Sequence, residues 1–132
     1  MKNTIFKILE YSYYFSLVSL FVLYLFPGSL IGYFLYGNLG QQPDLISNPI
    51  GTSINHLISF IYLSFLAFIA RVKERKYINS FQFLFFTSIL LEILHYFIPN
   101  RAFEYYDLFA NCIGIVLTYL LIQLILKNIN KN

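Results

Sequence analysis

The sequence predicts an all-α membrane protein, folded as a four-helix transmembrane bundle with both termini in the cytoplasm. Only 11% of its 132 residues are charged and 58% are hydrophobic, whereas soluble domains carry about 25% charged residues. Aromatic residues make up 20% of the chain, as 15 Phe and 12 Tyr, and these side chains are typical of lipid-facing and headgroup-level surfaces. Because so few charges cannot coat a soluble core, lipid is the predicted solvent.

Four apolar runs provide the helices of the predicted bundle. Each run is close to the ~20 residues that a helix needs to cross ~30 Å of hydrocarbon. Backbone amides in lipid must bond within their own segment, and period-two alternation is absent, so these runs are predicted to be α-helices. The helices are predicted over residues 5–26, 54–70, 78–98 and 108–126 of a single domain spanning residues 1–132.

An outer loop is predicted over residues 27–53, the longest connection in the chain. Its residues 30–36 are mostly apolar or aromatic and predict a short amphipathic or re-entrant segment in the membrane interface. Residues 37–44 are rich in Gly, Asn, Gln and Pro, which is typical of turns. Two roles stay open for this loop, a lid over the outer mouth of the bundle and a simple tether.

The basic residues predict the orientation. By the positive-inside rule, the side that carries most Lys and Arg faces the cytoplasm, and the 27–53 and 99–107 segments then face the exterior. An uncleaved first helix is favoured over a signal peptide, because its apolar run exceeds the 7–15 residues typical of a signal core. The bases lie at helix ends and not in one patch, so nucleic acid is not a predicted partner. The bases on the cytoplasmic side are Lys2, Lys7, Arg71, Lys73, Arg75, Lys76, Lys127 and Lys131.

Six polar side chains lie in or beside the most apolar part of the sequence. An ionisable side chain in hydrocarbon costs roughly 2.5–3.5 kcal/mol on insertion scales, so it usually has a partner or a task. Glu92 and His95 are three residues apart and share one face of the third helix. Asp107 and Asn111 share a face of the fourth helix, which a short turn makes an antiparallel neighbour of the third. The candidate site residues, predicted to converge on the outer third of the bundle, are Glu92, His95, Arg101, Asp107, Asn111 and His56.

Three interpretations of these residues stay open. The first is a structural network, in which Glu92 is protonated or paired with His95 or Arg101. In that network Asp107 would cap the fourth helix, since Asp is preferred at helix N-termini. The second is an outward-facing pocket in which Arg101 binds a phosphate or carboxylate bidentately. The third is acid–base chemistry by Glu92 with His95 and His56. No cofactor is predicted, and no metal, because the E-x-x-H spacing lacks the first His of H-E-x-x-H.

A family resemblance is carried by one stretch, L-L-E-I-L-H-Y-F-I-P-N-R-A-F-E-Y-Y-D-L-F-A-N-C-I-G-I-V-L-T-Y-L-L. It resembles the VanZ-like family of small bacterial membrane proteins, whose pattern is E-x-x-Q, then Pro, Arg and an acid, and then D-x-x-x-N-x-x-G. His95 stands where that family usually has Gln, and Ala102 stands where Ser is common. At the second helix His56 matches the family's D-K-x-x-H, while Thr52 and Ser53 replace its Asp and Lys. The matching residues of the stretch are Glu92, Pro99, Arg101, Glu104, Asp107, Asn111 and Gly114.

The resemblance implies a multi-pass protein of the bacterial inner membrane, with a role in the cell envelope and no defined reaction. The family takes its name from a member associated with low-level resistance to teicoplanin. Together with the polar residues, this leads to the hypothesis of an outward-facing pocket for a membrane lipid, or for a lipid-linked or anionic envelope precursor. Two alternatives are a small membrane enzyme acting on a lipid head group by Glu/His chemistry, and an accessory subunit with protein partners in the membrane.

Overall fold

Five α-helices make up the chain in the computed structural model, which describes residues 2–43, 51, 53–73 and 76–129. Part of the predicted outer loop, at 44–50 and 52, lies outside these described residues, as do Arg75 and Lys131 of the charge pattern. The all-helical prediction is confirmed for the described ranges, where no strand occurs. The helices are α1 (Lys2–Leu25), α2 (Leu30–Tyr36), α3 (Ser53–Lys73), α4 (Phe81–Leu94) and α5 (Tyr105–Ile129), with a 3₁₀ turn at Tyr77–Asn79.

Three of these helices, α1, α3 and α5, are long and apolar enough to cross a membrane. The third predicted span is shorter than expected, because α4 has 14 residues and extends only about 21 Å. Its start is set by Ser80, whose hydroxyl accepts a hydrogen bond from the Phe83 N–H. Its end precedes Pro99, whose ring disfavours helical geometry in the residue before it, and residues 95–97 form turns. The predicted range of 78–98 is therefore too long at both ends. It includes residues before the start of α4 at Phe81 and the turn that follows Leu94.

The long helices alternate in direction. Lys76 pairs with Glu10 at 2.8 Å, which places the start of the chain beside the connection from α3 to α4. Tyr24 at the end of α1 contacts His56 at the start of α3. We call the end of the bundle that holds the end of α1, the starts of α3 and α5, and residues 95–104 the polar end. The opposite end, with the start of α1, the end of α5 and residues 76–80, is the terminal end.

The outer surface of the bundle is strongly apolar. The side chains of Phe15, Phe34 and Phe97 are 76%, 82% and 79% exposed. Apolar surface this extensive is unusual for a soluble monomer and marks contact with membrane or protein. Together with the three long apolar helices, it makes hydrocarbon the surroundings of this surface.

Close contact between α3 and α5 depends on Gly114. A Cβ atom at this position would lie 2.8 Å from the Leu57 carbonyl oxygen and 3.2 Å from the Ile61 nitrogen. Both are backbone atoms, so no flexible side chain can move aside. Small residues permit such approaches between membrane helices. The pairing of α3 with α5 matters for function because these two helices carry His56 and Asp107.

Gly114→Ala is therefore expected to lower the free energy of unfolding by about 1–3 kcal/mol, because the added methyl group forces α3 and α5 apart. Thermal unfolding in detergent, followed by circular dichroism, measures this change. Gly40→Ala is the matched control, since its new Cβ would meet only the Asn38 side chain, at 3.4 Å. A Gly114→Ala protein as stable as the parent would contradict the close contact.

Candidate functional site at the polar end

The structure places all six predicted residues at the polar end of the bundle. Five of them are buried, including a carboxylate and an amide with no exposed surface, while Arg101 is partly buried. Burial on this scale needs hydrogen-bond partners, because an unpaired buried polar group costs about 1–3 kcal/mol. The buried residues are Glu92, His95, Asn111, Asp107 and His56.

Glu92 and His95 form one buried pair. The imidazole Nδ1 lies 3.3 Å from Glu92 Oε1, and the Glu104 backbone N–H donates to the same oxygen at 3.1 Å. The imidazole Nε2 lies 3.2 Å from the carbonyl oxygen of Tyr24 in α1. The pair therefore joins the end of α4 both to the start of α5 and to the end of α1.

One proton lies between His95 Nδ1 and the Glu92 carboxyl group, and either group can carry it. The Tyr24 carbonyl oxygen can only accept, so the Nε2 of His95 carries its hydrogen. Nδ1 then faces Glu92 either with a second hydrogen, as an imidazolium beside a carboxylate, or without one, beside a protonated carboxyl group. Both states are electrically neutral overall, which explains how two ionisable groups are accommodated in a buried position.

His56 and Asp107 form a second buried pair, between α3 and α5. The His56 Nε2 lies 3.3 Å from Asp107 Oδ2, and Ser53 donates its hydroxyl hydrogen to Asp107 Oδ1. The prediction that Asp107 caps the last helix is wrong. The helix begins two residues earlier, at Tyr105, so this carboxylate lies within its first turn and points to α3. A negative charge there is still favoured by the helix dipole.

Tyr24 is the central residue of the site, and the sequence analysis missed it. Its hydroxyl lies 2.8 Å from His56 Nδ1 and 3.1 Å from Asn111 Oδ1, to which it donates. Its ring stacks on His95 at a centroid distance of 5.6 Å. The available signal was weak, a Tyr three residues before Pro27 at the end of an apolar run. Tyrosine is common at that depth simply as a headgroup-level residue.

Arg101 attaches the end of α1 to the rest of the bundle. Its Nη2 donates to the Leu23 carbonyl oxygen at 2.6 Å, and its Nε donates to the Phe26 carbonyl oxygen at 3.3 Å. The last carbonyl groups of a helix lack internal partners and carry partial negative charge, so a guanidinium there satisfies both needs. Burial lowers the pKa of the Arg101 guanidinium from its ordinary value, and the nearby charge of Glu92 opposes this shift.

A cavity of about 280 Å³ opens beside these pairs. Its wall is almost entirely polar and includes both imidazoles and the guanidinium. A smaller cavity of about 90 Å³ lies next to it, and the two share Gln42, His56 and Arg101. Gln42 is held there because Asn55 donates to the neighbouring Pro43 carbonyl oxygen at 2.6 Å. The wall of the larger cavity is formed by Gln42, His56, His95, Asn100, Arg101, Ala102, Glu104 and Asp107.

Comparison with known proteins gives one match. The model of the VanZ/LLP1 family matches residues 7–126, which is most of the chain and includes every residue of the site. The chain belongs to this family. The predicted resemblance is thereby confirmed. No curated protein and no solved structure matches the chain.

The structure gives physical roles to the motif of this VanZ/LLP1 chain. Glu92 and Asp107 each pair with an imidazole, and Gly114 brings α3 against α5. Ser53 departs from the expected basic residue, yet its hydroxyl bonds to Asp107. Thr52, the second departure, lies outside the described residues. His95 stands where the family pattern has Gln, and its Nδ1 faces Glu92 Oε1 at 3.3 Å.

The imidazole nitrogens of the site all lie against protein atoms. Each imidazole has both of its ring nitrogens within 3.3 Å of a protein atom, so neither presents a nitrogen to the cavity. Two buried atoms, Glu92 Oε2 and Asn111 Nδ2, have no hydrogen-bond partner among the described residues. Within the same residues, no group of three or more His, Cys, Asp or Glu side chains is arranged to hold a metal ion.

Proposed function

We propose that this VanZ/LLP1 protein binds the phosphate-bearing head group of an envelope lipid, or of a lipid-linked envelope precursor, in the cavity at its polar end. The observation that supports this most directly is the place of Arg101. Its guanidinium is only partly buried, bonds to carbonyl groups through Nε and Nη2, and lines both cavities. A guanidinium at a cavity wall is well suited to a phosphate group.

The remaining cavity wall suits a head group with hydroxyl or amide groups next to its phosphate. Gln42 and Asn100 offer amides that both donate and accept hydrogen bonds, and Glu104 offers an acceptor. Burial, together with the charges of Asp107 and Glu92, raises the pKa of Glu104 above its usual 4.5. Because acidic side chains also line the cavity, a suitable head group carries hydrogen-bond donors for these side chains as well as a negatively charged phosphate.

A lipid could reach this cavity from the side. The α2 helix exposes Tyr33, Phe34 and Tyr36 at the polar end, and the turn after α4 exposes Tyr96 and Phe97. Such rings are typical of the headgroup level of a membrane. They would place the cavity where a lipid head group lies while its chains stay in hydrocarbon.

The distribution of bases supports an extracytoplasmic position for the polar end. The positive-inside rule assigns the side with more Lys and Arg to the cytoplasm, and Lys7, Arg71, Lys76 and Lys127 belong to the terminal end. Arg101 is the one base of the 95–104 segment. In a bacterial inner membrane, the cavity would then face the side on which envelope precursors are consumed.

A pair of lipids that differ only in the phosphate tests this proposal. We expect purified protein in detergent to bind a polyprenyl phosphate at least about tenfold more tightly than the matching polyprenol, because a charge-assisted bond is lost in the alcohol. Native mass spectrometry of mixtures measures both affinities. Equal affinities for the two lipids would contradict the proposal.

Two variants connect this measurement to the cavity. Arg101→Gln is expected to remove most of the preference for phosphate when measured well below its unfolding temperature. Glu104→Gln is expected to strengthen phosphate binding a few-fold, because it removes a negative charge from the wall while its side chain bonds to no described residue. If neither variant changed the preference, the phosphate would be bound elsewhere on the protein.

A further inference from the structure

A third cavity, of about 470 Å³, lies at the terminal end of the bundle and is separate from the proposed site. We call it the terminal groove. Its floor is aromatic, since the Tyr119 ring contacts Phe68 at 5.8 Å and Phe81 at 5.0 Å between ring centroids. Its size lies in the range of roughly 300–1,000 Å³ that is typical of small-molecule sites.

Three polar side chains stand beside this aromatic floor. Arg71 follows Phe68 by three residues, and Gln123 follows Tyr119 by four, so helical periodicity places both one turn nearer the terminal end. Gln82 lies at the start of α4 on the same groove. None of these three side chains has a hydrogen-bond or ionic partner among the described residues. Among the described residues that line the groove none is acidic, unlike the cavity at the polar end.

We infer that the terminal groove binds an anionic phospholipid of the membrane leaflet at the terminal end. Its phosphate would accept hydrogen bonds from Arg71 and from the amides of Gln82 and Gln123, while an acyl chain lies along the aromatic floor. A guanidinium and two amides at the edge of hydrocarbon are unfavourable without partners. A lipid phosphate supplies strong acceptors for all three.

Charge complementarity favours a lipid over a second copy of this chain. Exposed bases at the same end, Lys7 and Lys127, would face their own counterparts in a symmetric dimer, and like charges disfavour association. The same bases attract an anionic leaflet as a whole, while the selection of one bound lipid is assigned to the side chains that line the groove. The groove also includes the apolar side chain of Leu126 in α5, which is 38% exposed.

Lipid selectivity in native mass spectrometry tests this inference on the full-length protein. The first bound phosphatidylglycerol is expected to bind about tenfold more tightly than phosphatidylcholine, and Arg71→Gln is expected to remove that difference. Gln123→Leu, at an exposed position, is a second variant that keeps the fold and should weaken phosphatidylglycerol binding. Lys7→Gln is the matched control, because it removes an exposed base of the terminal end outside the groove and should leave binding within about twofold.

The results of this experiment distinguish an anionic phospholipid in the groove from inorganic phosphate or a second copy of the chain. Equal binding of the two lipids, an unchanged Arg71→Gln protein, or an equal loss in Lys7→Gln would overturn the inference. Inorganic phosphate that bound as tightly as the lipid would show that the acyl chains contribute nothing and would overturn the inference. A dimer cross-linked through the groove would identify a second copy as its occupant and would overturn it as well. Arg71→Gln lies outside the polar-end cavity and should leave the preference for polyprenyl phosphate over polyprenol unchanged, so this inference and the proposed function can fail separately.

Discussion

Arg101→Ala is expected to lower the free energy of unfolding by about 3–4 kcal/mol, among the largest effects of any single substitution in this chain. Two charge-assisted hydrogen bonds are lost, at about 1.5–3 kcal/mol each. The Leu23 and Phe26 carbonyl groups at the end of α1 then lack the donors that now satisfy them. Because α1 carries Tyr24, loosening its end also loosens the centre of the site. Unfolding in mixed micelles with increasing SDS, followed by circular dichroism, measures the loss.

Arg101→Lys separates the charge from the geometry of the guanidinium. A lysine ammonium keeps the charge but cannot reach two carbonyl groups with a planar fork, so about half of the loss is expected. Glu104→Gln, a substitution in the same turn with an exposed side chain, should melt like the parent. If Arg101→Ala also melted like the parent, then the end of α1 would be held by apolar contacts alone.

Sequence reasoning could find the polar site because its residues contrast with their surroundings. An ionisable group such as Glu92 in a long apolar run is unfavourable without a partner, and helical periodicity already placed His95 on the same face. The short connection between α4 and α5 is enough to predict that they are antiparallel neighbours. These parts of the prediction rest on local spacing, which a single sequence contains.

The contribution of α1 could not be predicted in the same way. Tyr24 and the carbonyl groups of Leu23 and Phe26 meet the site only after α1 packs against α3 and α4, and no local pattern encodes that packing. Every residue has a backbone carbonyl group, so the sequence cannot indicate which of them Arg101 binds. Its contacts at the end of α1 could therefore not be predicted. Asp107 was assigned to a cap for a related reason, since the start of a helix is uncertain by one or two residues.

Binding and stability are therefore linked at the polar end. The guanidinium that is proposed to bind a phosphate also holds α1, and the two imidazoles that line the cavity together connect α1, α3, α4 and α5. A ligand that binds only the folded state adds to its stability by mass action. The protein would then be most stable with its lipid bound, and detergent extraction that removes the lipid would be expected to lower its free energy of unfolding.

Glu92→Gln is expected to lower the free energy of unfolding by about 3 kcal/mol, although the side chain barely changes in shape. The single oxygen Oε1 accepts from the Glu104 N–H and faces the His95 Nδ1. An amide oxygen at this place leaves either an imidazolium without its counter-charge or two acceptors in contact. An amide nitrogen there would face the Glu104 N–H, donor against donor. Neither orientation satisfies both neighbours, and an unmatched buried group carries its full desolvation penalty.

Two further variants test whether the loss of stability in Glu92→Gln comes from the proton that Glu92 and His95 share. Glu104→Gln is the same chemical change on an exposed side chain, so it should leave the SDS unfolding curve in place. His95→Gln should lose less stability than Glu92→Gln. The new amide offers both a donor N–H and an acceptor oxygen to Glu92, whereas an amide at position 92 cannot satisfy both the Glu104 N–H and His95. Equal losses in the two buried variants would mean that packing, and not the shared proton, maintains the pair.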